Sequence, residues 1–223
     1  MKDKNEYLES IHEIRSIMER SSKFMSLSGL SGIAAGITAI ISGTIAYIYL
    51  GSAVINEPAS GYGNFNKISM PHEQILFFLL LAAATIFIAI TLTYVFTRRN
   101  ARKKNLPIWD KTAKLLTFNM LIPLITGGLF VLALVFWFGM YVLVVPATLV
   151  FYGLALVNAS KYTVGHTQWL GLSEIAIGLL ALLFYRYGLL FWILGFGVFH
   201  IIYGIIMYYT FESNHEIKPH TGI

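Results

Sequence analysis

Residues 171–209, GLSEIAIGLLALLFYRYGLLFWILGFGVFHIIYGIIMYY, decide what kind of molecule this is. Apart from a turn at Tyr185-Arg186-Tyr187-Gly188 the stretch is apolar, and each half is close to the ~20 residues that a helix needs to cross a bilayer. It reads as two membrane-spanning helices in a hairpin. Each helix carries one ionisable residue well inside its apolar run, Glu174 in the first and His200 in the second. An acid inside a span is costly, and by default it marks a functional site.

The rest of the chain agrees with that reading. Of 223 residues, 57% are hydrophobic and 12% are charged, whereas a soluble domain carries roughly a quarter charged. The apolar residues come in blocks and not in amphipathic stripes, so the expected fold is an all-α membrane protein. Six transmembrane helices, as three tandem hairpins, are expected over about 26–50, 74–96, 115–137, 141–157, 168–184 and 188–210, making one domain over 26–210. An amphipathic helix precedes them in residues 1–25, with Tyr7, Ile11, Ile14 and Met18 at helical spacing, and a polar tail, 211–223, follows. No signal peptide is expected, because charged residues fill positions 2–23. The absence of cysteine excludes disulfides, thiolate metal sites and cysteine nucleophiles.

The net charge of +5 is explained by topology. Arg98, Arg99, Arg102, Lys103 and Lys104 form a basic loop at the membrane surface after the second span, with Lys111 and Lys114 beyond it. With both termini in the cytoplasm, 14 of the 16 Lys and Arg residues fall inside, and only Lys67 and Arg186 fall outside. That asymmetry is the orientation signal of a multi-pass membrane protein with both ends inside. It leaves the lipid bilayer as the partner of the basic residues and gives no reason to expect nucleic acid.

The first span also matches the fifth. Residues 29–40, GLSGIAAGITAI, align without a gap on 171–182, GLSEIAIGLLAL, with seven of twelve positions identical. Tyr152-Gly153 matches Tyr203-Gly204 in the helices that follow, and Ile125 and Gly128 match Ile175 and Gly178. Three hairpins related by an axis along the membrane normal would give this pattern. Within it Glu174 replaces Gly32, so the acid is an addition to one copy. Gly32 and Gly36 also form a small-residue pair that permits close helix contact. Pro123 and Pro146 are expected to kink the third and fourth spans.

Three stretches, LPIWDKTAKLLTFNMLIPLITGGLF (106–130), PATLVFYGLALVNASKY (146–162) and the hairpin GLSEIAIGLLA (171–181) with YGLLFWILGFGVFHIIYG (187–204), resemble a family of bacterial six-span membrane proteins. The resemblance covers nearly the whole chain and implies the fold and a location in the bacterial cytoplasmic (inner) membrane, with no activity attached. The glycine-spaced apolar hairpins are also similar to the six-span acid-resistance membrane proteins of the HdeD type, which would imply a stress-related role without catalytic residues.

The candidate site is intramembrane and polar. Glu174 shares its face with Gly171, Gly178 and Ala181, and His200 shares its face with Gly197, Gly204 and Met207. Small residues mark helix contact, so both polar groups should point into the bundle. At about 1.5 Å per residue, Glu174 lies roughly 9 Å and His200 roughly 15 Å from the cytoplasmic end, a gap that one hydrogen bond or one water can close. Asn119, Asn158 and Tyr203 are expected on the same side, forming with them a pocket that opens inward. The bland alternative is a satisfied polar knot that fixes helix register.

No His/Glu metal cluster, Ser/His/Asp set or phosphate-binding glycine loop is present, so no catalysis, metal or cofactor is expected. Two functions fit. The first is a non-enzymatic membrane protein acting through a protein partner, self-association or a bound ligand, with the N-terminal helix and basic loop as working surfaces in a sensor, stress or scaffold role. The second is a small transporter or channel that carries a small ligand or ion through the pocket at Glu174 and His200. Deleting residues 1–22 should abolish function in the first, with Glu174→Gln altering only stability, and the second expects the reverse.

Overall fold

The structure, a computed structural model, describes residues 28–54, 70–163 and 166–212. The amphipathic helix expected near the N-terminus and most of the expected polar tail lie outside the described residues. Those described form helices and connecting turns, with no strand among them. In chain order they are α1 (Gly29–Val54), α2 (His72–Lys103), α3 (Lys111–Ala133), α4 (Val144–Ala159), α5 (Thr167–Leu183), α6 (Gly188–Trp192) and α7 (His200–Phe211). A π-helical stretch, Ile193–Phe199, joins α6 to α7 as one rod, and another, Leu134–Phe138, extends α3.

Five of these rods are long and apolar enough to cross a membrane: Gly29–Leu50, His72–Lys103, Lys111–Phe138, Tyr141–Tyr162 and Tyr185–Phe211. The sixth, α5, is apolar but has only 17 residues, about 25 Å of helix against a hydrocarbon core of about 30 Å. The surface suits lipid. Phe87, Phe118, Leu129 and Trp137 are exposed. Lone hydroxyls on these helices turn back on their own backbone, as Thr44 Oγ1 does to Ile40 O (2.7 Å), Thr91 Oγ1 to Phe87 O (2.8 Å) and Thr126 Oγ1 to Ile122 O (2.8 Å). A hydroxyl satisfied within its own helix needs no water.

The helices pack in the order α2, α1, the α6–α7 rod, α5, α4, α3. Two seams between them are unusually close. A methyl on Gly204 of α7 would fall 2.6 Å from both the Gly29 carbonyl oxygen and the Ile33 nitrogen of α1. A methyl on Gly153 of α4 would fall 2.6 Å from the Gly171 oxygen and 2.9 Å from the Ile175 nitrogen of α5. One turn along, methyls on Gly36 and Gly178 would each sit 3.0 Å from a partner backbone nitrogen, that of Ile201 and of Val150. Hydrogen in place of a side chain lets backbone touch backbone, where dispersion does the work that water exclusion cannot do in lipid.

One end of the bundle is tied by its helix termini. The Glu212 carboxyl group accepts from the Gly29 N–H and from Ser28 Oγ (3.2 Å), capping the start of α1 with an acid where the helix dipole favours it. Lys104 Nζ donates to the Phe211 carbonyl oxygen (3.3 Å), so the end of α2 reaches the end of α7. Burial lowers the Lys104 ammonium below the ordinary lysine range, and Glu212 acts in the opposite sense.

Two local expectations change. The basic run from Arg98 to Lys103 is the last two turns of α2 and not a loop. Nothing in it breaks a helix; the stop comes at Asn105, in left-handed backbone (φ 51), where the Leu106 N–H returns to the Ala101 oxygen (2.9 Å). Pro146 causes no mid-helix kink, because α4 begins at Val144 and a proline in the first turn forfeits no helical bond.

Candidate functional site

Glu174 is wholly enclosed, with 0% of its surface exposed, and His200 is buried beside it. Three elements make the enclosure: α5 carries Glu174, α4 brings Leu149 and Tyr152, and the π-helical stretch with the start of α7 brings Gly195 and His200. Gly195 provides the space. A methyl there would lie 2.5 Å from Glu174 Oε2 and 2.7 Å from Leu149 Cδ2.

His200 is held from both sides. Its Nδ1 lies 3.1 Å from the Gly195 carbonyl oxygen and 3.4 Å from Glu174 Oε1. A carbonyl only accepts, so Nδ1 carries hydrogen, and in the neutral ring Nε2 then accepts from the Tyr152 hydroxyl at 2.8 Å. Rings gather around this bond: Phe196 stacks on His200 at 6.1 Å between centroids, while Tyr152 is tilted to His200 at 5.3 Å and Trp192 to Phe196 at 5.0 Å. The single Nδ1 hydrogen goes to the Gly195 carbonyl, and among the described residues neither carboxyl oxygen of Glu174 has a hydrogen-bond partner, the 3.4 Å approach of Nδ1 included.

Tyr203, one turn beyond His200, faces another string. Its hydroxyl meets Thr167 Oγ1 at 2.7 Å, which meets Thr163 Oγ1 at 2.7 Å. Both threonines are buried and lie where α4 gives way to α5.

Asn119 and Asn158 are joined to each other and stand apart from these bonds. Pro123 has no N–H to give the carbonyl four residues back, and that carbonyl belongs to Asn119. Asn158 Nδ2 supplies the missing donor at 2.8 Å, while the Asn119 side chain turns back to the Leu115 oxygen (2.8 Å). Beside this contact a groove of about 380 Å³ runs between α3 and α4, lined by Pro123, Thr126, Phe151, Leu154, Asn158 and Lys161. Of the basic run, Arg98, Arg99, Arg102 and Lys103 are exposed, and Lys104 is half-buried at the helix-end contact described above.

Tyr152 and Gly195 were not among the residues singled out from sequence. Tyr152 did carry a signal: it heads the Tyr-Gly pair that matches Tyr203-Gly204. Gly195 carried none, since its role lies in an atom it lacks. Among the described residues no group of three or more His, Cys, Asp or Glu stands where a metal ion could be held. Comparison with protein-family models, with curated proteins and with solved structures returns no match for this chain.

Proposed function

We propose that this chain is an integral protein of the bacterial cytoplasmic membrane, with six spans in three hairpins and both termini in the cytoplasm. It acts without catalysis, through partners or a bound ligand, in a sensory, stress-related or scaffolding role. The carrying observation is the enclosure of Glu174: its carboxyl group meets packed helices on three sides and not an open cleft. The even number of spans is supported by the contact that brings the start of α1, the end of α2 and the end of α7 together at Glu212 and Lys104. The matching glycine contacts of the two seams support descent from an internal repeat. The basic turns of α2 and the N-terminal segment are the surfaces through which partners would engage.

The chain has no cysteine, so single-cysteine variants test the topology without background. In intact cells a membrane-impermeant maleimide should label Ser60→Cys and Tyr187→Cys. It should reach Ser10→Cys and Ser213→Cys only after permeabilisation. Purified protein in liposomes should carry no flux of protons or cations under an imposed gradient; sustained flux that Glu174→Gln abolishes would replace this reading with transport.

A further inference from the structure

We propose that Glu174, His200 and Tyr152 form a buried proton-binding site, and that Tyr203, Thr167 and Thr163 are the route by which its proton exchanges with one side of the membrane. The proposal deepens the function above by naming the bound ligand, and it rests on that topology only for which side is meant.

The site is built around a deficit. A carboxyl group that is 0% exposed, with no hydrogen-bond partner on either oxygen, is costly to leave as it stands. Its nearest donor, His200 Nδ1 at 3.4 Å, is already engaged by the Gly195 carbonyl oxygen. A metal cation needs a cage of ligands, and among the described residues Glu174 belongs to no group of three or more His, Cys, Asp or Glu that could hold one. A proton needs no cage. The titratable groups that face Glu174 are Tyr152 from α4 and His200 from α7, with Tyr203 behind them, and α6 brings none.

The chemistry balances with one proton. On binding, a proton forms one O–H bond on the Glu174 carboxyl; on release, that bond breaks and the proton leaves. His200 can hold the same proton on its second nitrogen, because Nδ1 stays bonded to Gly195 while Nε2 changes from acceptor to donor toward Tyr152 Oη. Neither move displaces a side chain. Each hydroxyl of the outer string is both donor and acceptor, so Thr163, Thr167 and Tyr203 can pass a proton by taking one hydrogen and giving another. No direct hydrogen bond joins Tyr203 to Tyr152, so the route is complete only when water or a rotamer change bridges them. That break makes the site exchange slowly, and it suits a sensor better than a conduit.

The π-helical stretch fits this role. Such segments are rare in proteins and gather at functional sites. Here the stretch runs to the residue before His200 and holds Gly195 over the carboxyl group.

The test is infrared spectroscopy of the full chain reconstituted in lipid vesicles, followed as the pH is varied over the whole range in which the protein stays folded. A carbonyl stretch of a protonated carboxylic acid should appear and disappear with pH. It should be lost in Glu174→Gln and shifted in frequency in His200→Gln and Tyr152→Phe. After transfer to heavy water, the same band should take up deuterium more slowly in Thr167→Val than in the wild type. A titrating band that survives Glu174→Gln, or no titrating band at all, overturns the site. Should Glu174→Gln fail to fold, an unshifted band in folded His200→Gln and Tyr152→Phe overturns it equally. Wild-type exchange in Thr167→Val overturns the route and leaves the site. Cysteine labelling on the unexpected side would revise the topology while leaving the infrared result intact.

Discussion

The α1·α7 and α4·α5 seams share one pattern of glycine contacts, and one of the residues in which they differ decides which of them houses an acid. In each, two glycines a full helical face apart bring backbone to within touching distance of backbone, and an isoleucine, Ile33 or Ile175, flanks the contact. At the place where α1 has Gly32, α5 has Glu174. The first seam has no room for such a change: a methyl on Gly32 would already sit 3.1 Å from Gly204 Cα and 3.3 Å from the His200 carbonyl oxygen. The second accepts a full carboxyl group because a third element stands over it, with Gly195 in place. An acid is therefore housed where three elements meet and excluded where two do. His200 belongs to both seams, its carbonyl against Gly32 and its imidazole against Glu174 and Tyr152.

The largest effect should come from breaking the plain seam. Gly204→Leu drives a side chain into the α1 backbone, which cannot give way, and should cost about 3 kcal/mol or more in thermal unfolding in detergent. Gly128→Leu is the matched control: nothing lies within 4 Å of a methyl there, so it should leave the midpoint nearly unchanged. Equal losses from both would mean that glycine matters for helix flexibility and not for the seam. Next comes the furnished seam. Gly195→Ala presses on Glu174 Oε2 and Leu149 and should cost about 1–3 kcal/mol. Most of that loss should vanish in the Glu174→Ala background, and this coupling separates crowding by the carboxyl from strain in the π-helical stretch.

These two seams also mark how far the sequence could be read. The apolar blocks disclose the long helices, because hydrocarbon demands a continuous apolar run and the chain can hide its backbone in no cheaper way. The company of small residues places Glu174 and His200 toward protein, and both are buried. Three things were not legible. Tyr152 comes from a helix far away in sequence, so its bond to His200 depends on which helices are neighbours. The packing order, with the first rod against the last, does not follow from hairpin adjacency. The π-helical register of Ile193–Phe199 moves the face of every later residue, and apolar composition does not encode that shift. The helix boundary at Asn105 shows the opposite failure: basic composition suggested a loop where nothing actually stops the helix.

A smaller effect should come from the end of the plain seam. Glu212→Ala removes the acceptor for Ser28 and for the first N–H of α1, and should cost about 1 kcal/mol, the usual worth of a helix cap. The furnished seam has no such clasp among the described residues, so the loss should loosen α1 from α7 and leave the Tyr152–His200 bond alone. Hydrogen exchange at the amides of α1 and α4 reads that difference. Equal acceleration in both would show that the two seams open as a unit.

The smallest effect lies outside both seams and measures what a single polar contact is worth beside them. Asn158→Ala strips the donor from the Asn119 carbonyl that Pro123 leaves open, and should cost about 0.6 kcal/mol, the average for a hydrogen bond between membrane helices. Pro123→Ala restores an N–H that can close the same carbonyl within α3, so in that background Asn158→Ala should cost almost nothing. If the loss persists there, Asn158 acts through packing against the groove and not through the carbonyl. If it grows well beyond the average, polar contacts hold this bundle more firmly than the glycine seams imply, and the two seams would no longer set its stability.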